Sequence, residues 1–205
     1  MKNIIITICL LIIMLSTSCS SSTQITSSWR EPNKEVNINN LKKVLVVALL
    51  KNETSRRKAE DQMLNYLNGK AVTSYNYSDA NFNKLDEDGI INKIRGDGFD
   101  GAIILRLIDV DKEVTYTPGR YNSFPTYYQS FGEYYRRSWQ YYSTPGQYNT
   151  TKTFNVETNV YSLKENKIIW SALTESVNPD GVEQMTAEIA DVVFKKMKKE
   201  GFVIE

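Results

Sequence analysis

VLVVALL, residues 44–50, is an uninterrupted apolar run rich in valine, set between Lys42-Lys43 and Lys51-Asn52. A run this short with no polar residue at alternate positions reads as a strand covered on both faces, so a sheet carrying helices is expected, with this run as its central strand. After it, Thr54 or Ser55 can cap a helix whose Ala59, Met63, Tyr66 and Leu67 recur at helical spacing until Asn68-Gly69. Residues 71–75 predict a shorter strand. Leu85, Ile90, Ile91 and Ile94 predict a second helix face, stopped at Gly96 and Gly98, and residues 101–110, GAIILRLIDV, predict a third strand. Strands alternating with helices of this length favour parallel crossovers.

Further along, the pattern changes. Residues 153–163 alternate through Phe154, Val156, Thr158, Val160 and Leu163, and Lys164-Glu165-Asn166 separates them from Ile168-Ile169-Trp170, which predicts an antiparallel hairpin with Trp170 in the core. Asp180 can cap a closing helix with Val182, Met185, Ile189, Val193 and Met197 in one stripe. Lys195, Lys196, Lys198 and Lys199 crowd its last turns, where cations oppose the helix dipole. Gly201 stops it, and residues 202–204 can add an edge strand. The expected fold class is α/β: one domain, residues 41–205, with a mixed sheet of five to six strands, ordered β-α-β-α-β, hairpin, closing helix.

Residues 1–18 are a signal peptide: Lys2 is the positive end, and residues 4–15 form an apolar run broken only by Thr7, too short to span a bilayer. Ser16, Thr17, Ser18 and Cys19 resemble the lipobox of bacterial lipoproteins, with Ser16 in place of the usual leucine and Leu15 one step further out. The resemblance implies cleavage before Cys19 and diacylation of its thiol, and two acyl chains make a durable membrane anchor where one does not. Residues 20–24, SSSTQ, hold no acidic residue, which by the same resemblance implies the outer membrane, facing the periplasm. Residues 19–40 read as a lipidated N-terminus and flexible tether, with an r.m.s. reach of roughly 25 Å.

Composition narrows the chemistry. Cys9 is lost with the signal peptide, no histidine exists, and removal of Lys2 takes the 25 Lys and Arg to 24, matching the 24 Asp and Glu. Ser-His and Cys-His nucleophile pairs are absent, no cofactor or metal is expected, and a balanced charge lacks the basic bias that favours nucleic acid, which is not expected as a partner. Asp109 and Asp111 at i, i+2, with Asp97 and Asp100 before them, are the carboxylates from which a calcium or glycosidase site would be assembled; ordinary solvated strand-end and turn residues are the expectation. The glycines of RGDGFDG, residues 95–101, end a helix and lead into a strand, the reverse of a phosphate loop.

Residues 116–150 read as an insertion, holding nine of the thirteen tyrosines. Tyr127/Tyr128, Tyr134/Tyr135 and Tyr141/Tyr142 return every seven residues, and with Phe124, Phe131 and Trp139 they predict an aromatic stripe on a helix over about 126–142. Pro118, Pro125 and Pro145 bracket it, and Gly132 weakens it by roughly 1 kcal/mol. Adjacent aromatic pairs and Arg136-Arg137 break the alternation a membrane hairpin would need. The stripe has three candidate uses: covering the domain's own sheet, which is the plainest; forming a partner or self-association surface; or stacking on glycan rings or lying at a membrane interface.

Ser28-Trp29-Arg30-Glu31-Pro32, Lys43-Val44-Leu45-Val46-Val47, residues 56–61 (RRKAED), residues 98–102 (GFDGA), residues 156–161 (VETNVY) and Ile169-Trp170-Ser171 together resemble a family of uncharacterised Gram-negative envelope lipoproteins. In this resemblance Trp29 and Pro32 form a hydrophobic latch that holds the tether against the domain. The order of elements is also similar to the periplasmic domains of curli-secretion channel lipoproteins, of lipoprotein activators of peptidoglycan synthases and of the Tol-system translocation protein. That similarity implies a non-enzymatic protein that binds envelope protein partners; the alternatives are an oligomeric secretion or assembly component and a glycan-binding lipoprotein.

Overall fold

Residues 44–49 do form a buried strand, but not the central one. The computed structural model describes residues 22–78, 85–117, 130–143 and 145–204, and of residues 137, 138 and 140–143 the backbone. Its strands are β1 (Thr23–Arg30), β2 (Val36–Asn37), β3 (Val44–Leu49), β4 (Ala71–Thr73), β5 (Gly101–Thr117), β6 (Gln147–Ser162), β7 (Lys167–Val177) and β8 (Val203–Ile204). The helices are α1 (Glu53–Leu64), α2 (Ser74–Tyr77), α3 (Glu87–Gly96), α4 (Phe131–Ser143) and α5 (Gly181–Lys199). Six strands make one mixed sheet in the order β1-β7-β6-β5-β3-β4, and β2 and β8 pair separately. In the large sheet β3 runs parallel to β4 and β5 and the other neighbours are antiparallel, while β2 and β8 are parallel to each other. β3 is therefore next to an edge; its burial on both faces comes from the helices that cover it.

On one face, Ala59 and Met63 of α1 and Met185, Ile189, Val193 and Met197 of α5 close over Val46, Ile103, Leu105, Val156, Trp170 and Ala172. On the other, Ile90, Ile91 and Ile94 of α3 cover Leu45 and Ala102, with Phe99 and Leu163. Asn52, rather than Thr54 or Ser55, caps α1, its side chain accepting from the Ser55 amide at 2.9 Å. Asp86 caps α3 in the same way through Gly89. Gly201 ends α5 at φ 66°, a left-handed turn that lets the Phe202 amide return to the Met197 carbonyl at 2.9 Å and drives the Phe202 ring into the core.

Two expectations about organisation are corrected. Residues 23–30, expected in a flexible tether, are the edge strand β1, in register with β7 from Thr23↔Ser176 to Arg30↔Trp170. Ile25 packs against the core, and the other inward side chains are polar and find polar partners: Thr23 donates to Glu188 at 2.8 Å and Ser28 to Glu200 at 3.0 Å, while Arg30 donates to the Glu200 carbonyl. Trp29 points to the outer face and is half exposed, so backbone pairing and Glu200, not a hydrophobic latch, hold the segment. The insertion is also shorter than 116–150, because β5 runs to Thr117 and β6 starts at Gln147. The signal peptide, Cys19, Tyr127 and Tyr128 lie outside the described residues.

Candidate interaction surfaces

The carboxylates singled out by sequence do not converge on a catalytic centre. Asp109 and Asp111 share one face of β5, as expected, and both accept from the Asn155 side-chain Nδ2, at 2.5 and 3.0 Å. Asp97 accepts from the Tyr77 hydroxyl at 2.7 Å and Lys93 at 3.1 Å, and these bonds hold its carboxyl below the usual range. Asp100 accepts from the Lys42 amide. No group of three or more potential metal ligands occurs among the described residues.

Sequence reading missed Glu60, which is wholly buried and accepts from the Ala48 and Ser74 amides at 3.0 and 2.8 Å and from the Ser74 hydroxyl at 2.6 Å. Its spacing with Met63 and Leu67 places it on the apolar stripe of α1, and that position was the available signal. With those donors it ties α1 to β3 and to the start of α2, a structural role. Also unforeseen is a recess of about 940 Å³ at the β6–β7 hairpin end of the sheet, lined by Val36, Ile38, Leu41, Ile103 and Val160, with Lys34 and Glu165 paired at its rim.

The β5–β6 pair outgrows the sheet. β3 stops alongside Arg106 and β7 stops alongside Thr153, where Asn178 caps the Lys152 backbone. From Lys112↔Lys152 to Thr117↔Gln147, six residue pairs continue as a bare ribbon, about 20 Å long at 3.4 Å per residue. A bulge at Ile108 shifts the β5 alternation so that the two ribbon faces differ in kind. One face, continuous with the side that α1 and α5 cover, carries Val110, Lys112, Val114 and Tyr116 opposite Phe154, Lys152, Thr150 and Tyr148; the two tyrosine rings meet at 4.9 Å. The other carries Asp109, Asp111 and Glu113 opposite Asn155, Thr153 and Thr151.

Helix α4 lies between the two ribbon strands in sequence. Ser130 accepts from the Glu133 amide at its start. Phe131, Tyr135 and Trp139 stack in succession at 5.8 and 6.2 Å, the i, i+4 ladder expected of an aromatic stripe. Phe131 is 80% exposed and Trp139 62%, and Tyr134 and Tyr135 are more than half exposed. The expectation that the stripe covers the domain's own sheet is corrected for these four residues: their rings face outward. Tyr141 and Tyr142 lie in the helical backbone.

A third surface is the sheet face turned away from α1 and α5. α3 covers it only near β4, β3 and the start of β5. Beyond, Arg106, Glu157, Glu175, Leu173, Ser27 and Trp29 are exposed or half exposed and lead directly into the Asp109-Asp111-Glu113 column. Arg106 is paired with Glu157 at 2.9 Å, so the remaining carboxylates make the surface net acidic.

No family model and no curated protein sequence matches the chain. Similar solved structures include the PelC dodecamer from Paraburkholderia phytofirmans, 9% identical over 83% of this chain and 94% of that one, TM-score 0.45. Another is lipoprotein GNA1162 from Neisseria meningitidis, 8% identical over 77% of this chain and 98% of that one, TM-score 0.40. Likenesses at this level assign neither a family nor a function.

Proposed function

We propose that the chain is a non-enzymatic lipoprotein of the bacterial outer membrane, anchored through Cys19 and facing the periplasm, that binds an envelope protein through the open face of its sheet. The observation that supports this reading is the half-uncovered sheet itself. A sheet face of this size usually carries a helical layer or a partner, and here Trp29 and Leu173 share a face with Glu175, Asp109, Asp111 and Glu113, none of which has a cation partner among the described residues. Aromatic anchors ringed by charge are what a protein interface uses for contact area and for steering. The partner that fits is a protein with a basic patch.

A photo-crosslinking residue at Leu173 in intact cells tests this. A discrete adduct is expected, and its yield should fall when Asp111 and Glu175 are both replaced by Lys. An adduct composed of the chain itself would move the reading to the oligomeric alternative, and no adduct at all would overturn it.

A further inference from the structure

We propose that the β5–β6 ribbon and helix α4 form a membrane-resting arm, a second contact with the bilayer that holds the lipid anchor; this rests on the reading of Cys19 as acylated. The direction of β1 sets where the chain enters the domain. Its first residue, Thr23, sits beside Ser176, and the Val177 amide donates to the Ser22 carbonyl at 2.9 Å. The chain therefore enters the domain at the same end of the sheet from which the ribbon projects. Cys19 is three residues before Ser22, so a fully extended link reaches about 11 Å. The ribbon runs about 20 Å past that level before α4 is reached. With an arm longer than the leash, turning this end of the sheet toward the bilayer brings the arm onto its surface.

The arm's chemistry suits a lipid headgroup zone. Tyr116, Tyr148, Tyr135 and Trp139 are exposed amphipathic aromatics, the residue types enriched where water meets hydrocarbon. Lys112 and Lys152 face each other across the ribbon with no carboxylate partner among the described residues. Like charges directly opposite destabilise a strand pair in water, and anionic headgroups would relieve that repulsion. A two-stranded ribbon is marginal when free in solution, so a supporting surface also accounts for its length. The acidic column on the opposite face is left turned away from the lipid, continuous with the open sheet face.

The test uses the naturally lipidated full-length product in vesicles of phosphatidylethanolamine with a minor share of phosphatidylglycerol. The mature chain has no cysteine besides Cys19, so an NBD dye can be placed on Tyr135→Cys, on Tyr148→Cys as a second arm reporter, and on Lys164→Cys at the far hairpin. Expected are flotation with the vesicles, a blue shift and loss of dithionite access at both arm positions, and full access at Lys164→Cys. Flotation with arm dyes as accessible as the hairpin dye would overturn the arm while leaving the anchor intact. Failure to float would overturn both. A blue shift already present in the soluble Cys19→Ala protein without lipid would overturn the lipid assignment in favour of burial against a second copy.

Discussion

Glu200 shows how a single carboxylate stands in for a hydrophobic latch. Its side chain accepts from Ser28 at 3.0 Å, from the Trp170 indole at 2.9 Å and from Lys196 at 3.2 Å, and its carbonyl accepts from Arg30. Partial burial alone would raise its carboxyl, but the bonds from Trp170, Lys196 and Ser28 outweigh it and hold the group below its ordinary 4.5. A carboxyl depressed on folding contributes stability that is fully present above 4.5 and lost as pH falls through the lowered value. Thermal unfolding across acid pH should show this loss in the wild type and a flatter profile in Glu200→Gln. At neutral pH, Glu200→Ala, which leaves the buried Trp170 N–H without its acceptor, should cost about 1–3 kcal/mol. None of this was legible beforehand, since a lysine-flanked Glu at a helix end looks solvated.

Among the elements, β1 is the one whose character sequence patterning concealed. TQITSSWR has strand-forming Thr, Ile and Trp, but its inward positions Thr23, Ser28 and Arg30 are polar and a bulge at Thr26 breaks the alternation. Of its inward residues Ile25 alone is apolar and meets the core, and period-two reading fails where Thr23 and Ser28 meet carboxylates instead. Hydrogen exchange should show amides at residues 23–30 protected together with those of β7, whereas exchange at coil rates would contradict the strand. α1, α3, the β6–β7 hairpin and α5 were legible because each buries an apolar set at the period of its own backbone, and β3 because an unbroken apolar run marks a strand covered on both faces. The lengths of β5 and β6 were not, because beyond Asp109 the ribbon has little core to pack against and its composition resembles a loop.

At the scale of the whole molecule, one edge strand changes how the domain would stand relative to the membrane proposed to hold Cys19. The expected flexible tether would have held it well clear of the lipid, whereas β1 leaves only two residues between Ser22 and Cys19. Cys19→Ala should release the protein from membranes into the soluble fraction, as read by fractionation. Retention would mean that the arm alone suffices or that another anchor exists. By itself the sequence determined the α/β class, the helical aromatic ladder and the lack of a histidine, because composition and periodicity are local properties of the chain. Only the tertiary structure decided that the polar N-terminal segment is a strand, that the aromatic ladder faces outward, and that arm and chain entry share one end of the sheet. Those outcomes depend on which distant groups, Glu188, Glu200 and β7, lie within hydrogen-bond reach, and no local pattern encodes that.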